Sequence, residues 1–180
     1  MGADVPGASA RPGLTSTLCD IAVPDSPVLV IGIGNRLCGD DSASAEVVRR
    51  LHDRGAQRGI EVSEQLREPN DLLEAWQGRD AVVLVDTMRS GDPPGAIRRF
   101  DASSEPLPAR LRGSVSNHAF GLHEAIELAR ALHRLPQRVI VFAVEGQQFE
   151  AGATLSGEVE AAVAPLACAV LRAARDLAKN

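Results

Sequence analysis

Three short, continuous runs of apolar residues constrain the fold more than any other feature of this sequence. The runs are rich in β-branched residues and contain no charged residue; they are Val28–Ile33, Ala81–Val85 and Val139–Val144. Strands that are apolar on both faces are typical of parallel sheets with helices on either side. The sequence therefore predicts an α/β fold: a single three-layer α/β/α sandwich with a mostly parallel, twisted sheet.

Helices and weaker strands are predicted between these runs and after the last of them. The spacing of apolar residues predicts helices over about Asp41–Gly55, Asp71–Gln77, Leu122–Leu132 and Val159–Leu177. Pro165 is expected to kink the last of these helices. Strands are also predicted over Ile60–Leu66 and Ala96–Phe100, and a loop over Pro106–Gly113.

The first 27 residues differ in composition from the rest of the chain. They contain four prolines among Gly, Ala and Ser, and they lack the basic and apolar regions of a signal peptide. No periodic apolar face is available for packing. We therefore expect a flexible leader over residues 1–27 and one α/β/α domain over residues 28–180.

Composition excludes several classes of partner. The 19 Lys and Arg against 24 Asp and Glu give a net charge of −5, and aromatic residues make up 3% of the chain, so nucleic acid is not an expected partner. No apolar run approaches the roughly 20 residues that span a bilayer. Cys19, Cys38 and Cys168 lie too far apart for a C-x-x-C motif and fit a reducing compartment. We expect a cytoplasmic protein.

The segment from Gly32 to Gly39 follows a strand and leads into a helix, where phosphate-binding turns are found. A dinucleotide motif needs a third glycine where Leu37 stands, and a Walker A loop needs Lys-Ser/Thr where Asp40 and Asp41 stand. Carboxylates repel phosphate, so a phosphate site is rejected. Whether Gly32 and Gly34 only form a tight turn or face a ligand stays open at this point.

Two carboxylates and one imidazole are candidates for a metal site. Asp41 follows the first strand, Asp86 ends a later one, and His118 enters a helix. Because the loops after parallel strands meet at one edge of the sheet, these groups could hold nickel, zinc or iron. The alternatives are purely structural roles. Asp41 could compensate a helix dipole, Asp86 could cap the turn after its strand, and His118 could lie next to a helix N-cap. A nucleophilic Cys38 is disfavoured, because neighbouring acids raise a thiol pKa.

The blocks resemble those of the hydrogenase maturation endopeptidases. They are Gly32-x-Gly34-Asn35-x-Leu37-x-x-Asp40-Asp41, Val85-Asp86, Ser116-x-His118-x-x-Gly121-Leu122 and Leu155-Ser156, within Val28–Leu177. The resemblance implies an α/β/α sandwich that removes a C-terminal extension from the large-subunit precursor of a nickel-iron hydrogenase after nickel insertion. It also implies that Asp41, Asp86 and His118 contact the metal and are the catalytic residues of an aspartyl-type endopeptidase.

In this interpretation the nickel is carried by the substrate, so metal insertion permits cleavage. The alternative is a non-proteolytic nickel-binding or assembly factor on the same fold. The chain differs from the family pattern in having Ser42-Ala43-Ser44 where the family has Gly-x-Gly, and Glu64-Gln65-Leu66 where it has Asp followed by small residues. Serine would be unfavourable at a position that needs positive φ. The expected partner is the hydrogenase precursor, and we expect the chain itself to be a monomer.

Deletion of residues 1–26 tests the predicted leader. The melting temperature is expected to stay nearly unchanged, because this segment offers no apolar face to bury. Thermal unfolding of the truncated and full-length chains measures this. A fall of many degrees would mean that the leader packs on the domain.

Overall fold

The computed structural model describes residues 28–54, 59–66, 69–108 and 121–179. The proposed leader and His118 lie outside the described residues. The elements, in chain order, are β1 (Val28–Ile33), a 3₁₀ turn (Gly39–Ser42), α1 (Ala43–Asp53), β2 (Ile60–Leu66), α2 (Pro69–Ala75), β3 (Ala81–Met88), β4 (Ile97–Asp101), α3 (Leu122–Ala131), β5 (Arg138–Glu145) and α4 (Gly157–Ala178).

The five strands form one sheet in the order β2-β1-β3-β5-β4. Four strands are parallel, and β4 pairs antiparallel with β5 at the edge. From β1 the chain moves to β2 on one side and later returns to β3 on the other. The gap between β1 and β3 is therefore the point where the strand order reverses, which in open α/β sheets is the usual place for a ligand crevice.

Alternate residues of the central strands pack into two separate cores. One core joins the sheet to α1 and α4; its strand residues include Val28, Val30, Val83, Val85, Ile140 and Phe142. The other joins the sheet to α2 and α3; its strand residues include Leu29, Ile31, Val82, Leu84, Val139 and Val141. Burial on both faces explains why these strands are continuous apolar runs in the sequence, and it confirms the three-layer α/β/α prediction.

Several predicted boundaries need correction. The helix predicted from Asp41 begins at Ala43, because residues Gly39–Ser42 wind as a 3₁₀ turn. The second long strand does not end at Asp86 but continues to Met88, because β5 pairs with it through Glu145. The short helix covers Pro69–Ala75 rather than Asp71–Gln77. The helix over Leu122–Ala131 confirms the predicted stripe.

The closing helix α4 runs without interruption from Gly157 to Ala178 and includes Pro165. The kink at Pro165 stays a prediction. Among the described helices, none combines the length and apolar character that a membrane crossing requires.

Candidate active site

The topology brings two of the three predicted site residues to the same edge of the sheet. Asp41 lies in the 3₁₀ turn after β1, and Asp86 lies in the neighbouring strand β3. Pairing between these strands ends at Gly32 and Val85, so Asp86 is the first β3 residue beyond the pairing with β1. Both aspartates are therefore at the point where the strand order reverses.

Asp41 is buried, with 7% of its surface exposed. The backbone of the loop that precedes it binds its carboxylate. Its Oδ2 accepts a hydrogen bond from the backbone N–H of Asn35 at 2.7 Å. Burial raises the pKa of Asp41 above its ordinary value, and the Asn35 bond opposes this by favouring the ionised form. The environment thus makes the charge on this carboxylate costly.

Asp86 is also 7% exposed, and its pKa is shifted further. Burial is the largest cause and the negative charge of Asp41 is the second; together they raise the pKa of Asp86 to about 8, against the opposing N–H of Thr87, which donates to Oδ1 at 2.7 Å. Two neighbouring carboxyl groups that do not ionise together are a feature of acid–base sites. At neutral pH this pair holds a proton on Asp86.

Asp40, next to Asp41 in sequence, has a different environment. It is fully buried, and its carboxylate accepts four hydrogen bonds: from the backbone N–H groups of Gln147, Gln148 and Ser156, and from the Ser156 hydroxyl, at 2.6–3.1 Å. Its carbonyl accepts a bond from the Thr87 hydroxyl at 3.0 Å. We call this set the Asp40 clamp. It joins the ends of β1, β3 and β5.

The glycines before the clamp serve close packing. Gly34 has φ +140°, and a Cβ there would lie 3.0 Å from Asp41 Oδ1 and would overlap the Asp41 carbonyl. At Gly32 a Cβ would lie 2.9 Å from Val48 Cγ2 and 3.1 Å from the Ser44 carbonyl. Of the two alternatives for these glycines, the structural one is therefore supported. A side chain has no room against α1 at Gly32 or against Asp41 in the 3₁₀ turn at Gly34.

The expected strain at Ser42-Ala43-Ser44 is absent. Ser42 has φ −79° and Ala43 has φ −59°, and Ser44 is not among the positive-φ residues of the described chain. The Ser42 hydroxyl donates to the Gly39 carbonyl at 2.6 Å. Serine is therefore not unfavourable here, because these positions begin a right-handed helix and none of them has a positive φ.

Two buried groups at this end of the sheet were not among the predicted site residues. Glu145, at the end of β5, is 2% exposed and accepts bonds from the backbone of Ser90 and Gly91 and from the Ser90 hydroxyl, at 2.8–3.0 Å. His123, in the first turn of α3, is 6% exposed. It lines a small pocket beside Asp86, together with Thr87, Met88, Leu107, Leu122, Val141 and Ala143. The sequence feature that could have identified Glu145 is its position as a charged residue directly after an apolar run.

Within the part of the chain that the structure describes, no three His, Cys, Asp or Glu side chains come together as a metal-ligand group. The proposed third ligand, His118, falls outside that part, so the predicted triad is represented by Asp41 and Asp86. Cys38 is half-buried and its backbone pairs with Ala151. The second described cysteine, Cys168, is exposed and accepts a hydrogen bond from Arg54 at 3.4 Å.

Comparison with known proteins identifies the class. The family model described as hydrogenase maturation protease matches residues 45–173. The hydrogenase 2 maturation protease of Escherichia coli strain K12 is 26% identical over 151 residues, covering 83% of this chain and 91% of that protein. The chain belongs to the hydrogenase maturation protease family. It is a peptidase, as the resemblance in its motifs implied.

Solved structures agree with this assignment. The hydrogenase maturating endopeptidase HybD from E. coli superposes with a TM-score of 0.71 at 26% identity, covering 83% of this chain and 92% of that chain. A hydrogenase 2 maturation peptidase from a Thaumarchaeota archaeon gives a TM-score of 0.60 at 25% identity, covering 82% of this chain and 97% of that chain.

Asp40→Asn tests the clamp. The amide would turn an N–H group toward backbone N–H donors, so the free energy of unfolding is expected to fall by about 2–4 kcal/mol. Urea denaturation measures the change. The matched control is Asp41→Asn, which removes a carboxylate whose charge burial already disfavours, and it should cost less. Equal losses for the two variants would contradict the distinction between them.

The raised pKa of Asp86 predicts a pH dependence of stability. The folded value of about 8 lies above the unfolded value near 4, so the folded chain keeps a proton that the unfolded chain releases. This group's stabilising effect is complete below about pH 4 and is lost as the pH rises toward 8. Relative to Asp86→Asn, which cannot ionise, the wild type is expected to lose about 3–4 kcal/mol between pH 5 and pH 8.

Urea denaturation at the two pH values measures this difference. Asp80→Asn, at the exposed start of the same strand region, is the control and should follow the wild type. A constant difference between wild type and Asp86→Asn at both pH values would show that Asp86 ionises normally.

Proposed function

We propose that this peptidase removes a C-terminal extension from the large-subunit precursor of a nickel-iron hydrogenase, and that it recognises nickel already bound to that precursor. The observation that carries the proposal is the buried Asp41–Asp86 pair at the strand-order reversal, in a chain of the hydrogenase maturation protease family. A relative with this fold bears the name of a maturating endopeptidase, which supports the same activity here.

The donor chemistry of the pair supports contact with a cation held by the substrate. Aspartate oxygens are hard ligands, and with His118 they would make an incomplete set that leaves positions for ligands from the precursor. Such a set suits a metal that stays attached to the substrate's own softer ligands. Asp41, Asp86 and His118 are thus the residues that we propose to contact the nickel.

The same pair supports a role in proton transfer. Asp86, with a pKa of about 8, carries a proton at neutral pH, whereas the N–H of Asn35 favours the ionised form of Asp41 against the effect of burial. A protonated carboxyl group can donate to a leaving amine, and an ionised one can accept a proton from attacking water. Contact with a substrate-held cation would favour transfer of the Asp86 proton to that leaving amine, because the carboxylate ligates in its ionised form.

Asp86→Ala tests the proposal. The variant is expected to lose processing of the nickel-loaded precursor by at least a hundredfold, a loss typical of removing a group that acts on the reacting atoms. The fold should be retained, because Asp86 belongs to neither of the two apolar cores and burial disfavours ionisation of its side chain. Mass measurement of the products and circular dichroism of the variant are the two readouts. Asp80→Ala, directly before the start of β3 and away from the site, is the matched control and should process normally.

A parallel incubation with nickel-free precursor tests recognition of the metal. Cleavage of the nickel-loaded form alone is the expected result. Equal cleavage of both forms would contradict nickel recognition, whereas tight binding without cleavage of either form would favour a non-proteolytic assembly factor. Full activity of Asp86→Ala would remove this residue from the mechanism.

A further inference from the structure

The loop between β1 and the 3₁₀ turn presents one unusually exposed leucine. Leu37 is 68% exposed, more than any other large apolar side chain in the described ranges; the next are Leu132 at 51% and Leu128 at 37%. A single exposed leucine is ordinary on a protein surface. Its place and the way its backbone is held make Leu37 different from the other two.

The backbone around Leu37 is held from both sides. Its N–H donates to Asn35 Oδ1 at 3.0 Å, and its carbonyl accepts from the N–H of Gly152 at 2.7 Å. The next residue, Cys38, pairs with Ala151 as an antiparallel bridge. The side chain therefore projects outward from a fixed backbone. Binding of a partner would cost little free energy for ordering this loop.

The same loop is tied directly to the candidate active site. Asn35, whose side chain orders Leu37, donates its own backbone N–H to the carboxylate of Asp41 at 2.7 Å. Leu37 thus stands on the rim of the site, four residues before Asp41. Leu132 lies at the other end of the sheet: α3 begins at the pocket beside Asp86 and runs away from it to Leu132, just before β5 starts.

We propose that Leu37 is a docking contact for an apolar side chain of the polypeptide substrate, close to the bond that is cleaved. This inference rests on the proposed function, because a peptidase must bring an extended chain segment to the Asp41–Asp86 edge. A segment that reaches these carboxylates passes the rim on which Leu37 stands. Covering the exposed leucine with an apolar partner removes both surfaces from water and supplies binding energy without touching the reacting atoms.

Rates of processing over a range of precursor concentrations test the contact. Leu37→Ser is expected to raise KM for the nickel-loaded precursor about tenfold, which corresponds to burial of most of one leucine side chain, with kcat changed less than twofold. Leu37→Met keeps an apolar side chain of similar volume and should recover most of the lost affinity. Leu132→Ser, an equally polar change at an exposed leucine away from the site, should match the wild type.

A binding measurement separates this inference from the proposed function. In an Asp86→Ala background, where bound precursor is not consumed, Leu37→Ser is expected to weaken precursor binding about tenfold and Leu132→Ser to leave it unchanged. Processing by the wild type with equal KM values for Leu37→Ser and Leu132→Ser would overturn the docking contact and leave the proposed function standing. Weakened binding together with no processing by the wild type would overturn the proposed function and leave the contact standing.

Discussion

The buried carboxylate of Asp40 is the interaction on which the arrangement of the site depends. A charged group with no exposure to water is tolerated only when its oxygens are saturated by donors, because the desolvation cost is otherwise large. Here the donors come from Gln147, Gln148 and Ser156, more than a hundred residues later in the chain. The clamp therefore forms only when the β5–α4 loop is in place, and it then sets the position of the turn that carries Asp41.

The consecutive residues Asp40 and Asp41 have opposite environments. This contrast distinguishes a residue that stabilises the fold from one that belongs to the candidate site. Asp40 receives four donors and lies in the interior. Asp41 accepts from Asn35 and has a raised pKa, and it raises the pKa of Asp86 in turn. Buried charge without full compensation lowers stability, and natural proteins accept that cost mainly at functional sites. The hydrogen bonds of Asp40 stabilise the turn that holds Asp41 and join it to β3 at Thr87, the residue next to Asp86.

The spacing of apolar residues was sufficient to predict the sheet and the helical layers on its two faces, because each central strand is apolar on both faces and each helix has one apolar stripe. It was not sufficient for the site. Asp41 and Asp86 were predicted to meet at one edge of the sheet, and they do so because the strand order places β1 beside β3. The roles of Asp40 and Glu145 depend on distant backbone donors, which local patterns do not contain. The end of β3 was misplaced for the same reason: β5 pairing, not the local sequence, extends it to Met88.

The charge state of the pair connects its two proposed roles. With its pKa raised to about 8, Asp86 carries a proton at neutral pH and can act as a proton donor. A neutral Asp86 is a weaker cation ligand than an ionised one, so the pair alone attracts free cations less than its two carboxylates suggest. A cation delivered on a docked substrate arrives at high local concentration and competes with that proton more effectively. In the proposed reaction, the buried environment that raises the pKa would therefore favour metal that is attached to the correct polypeptide over metal that is free in solution.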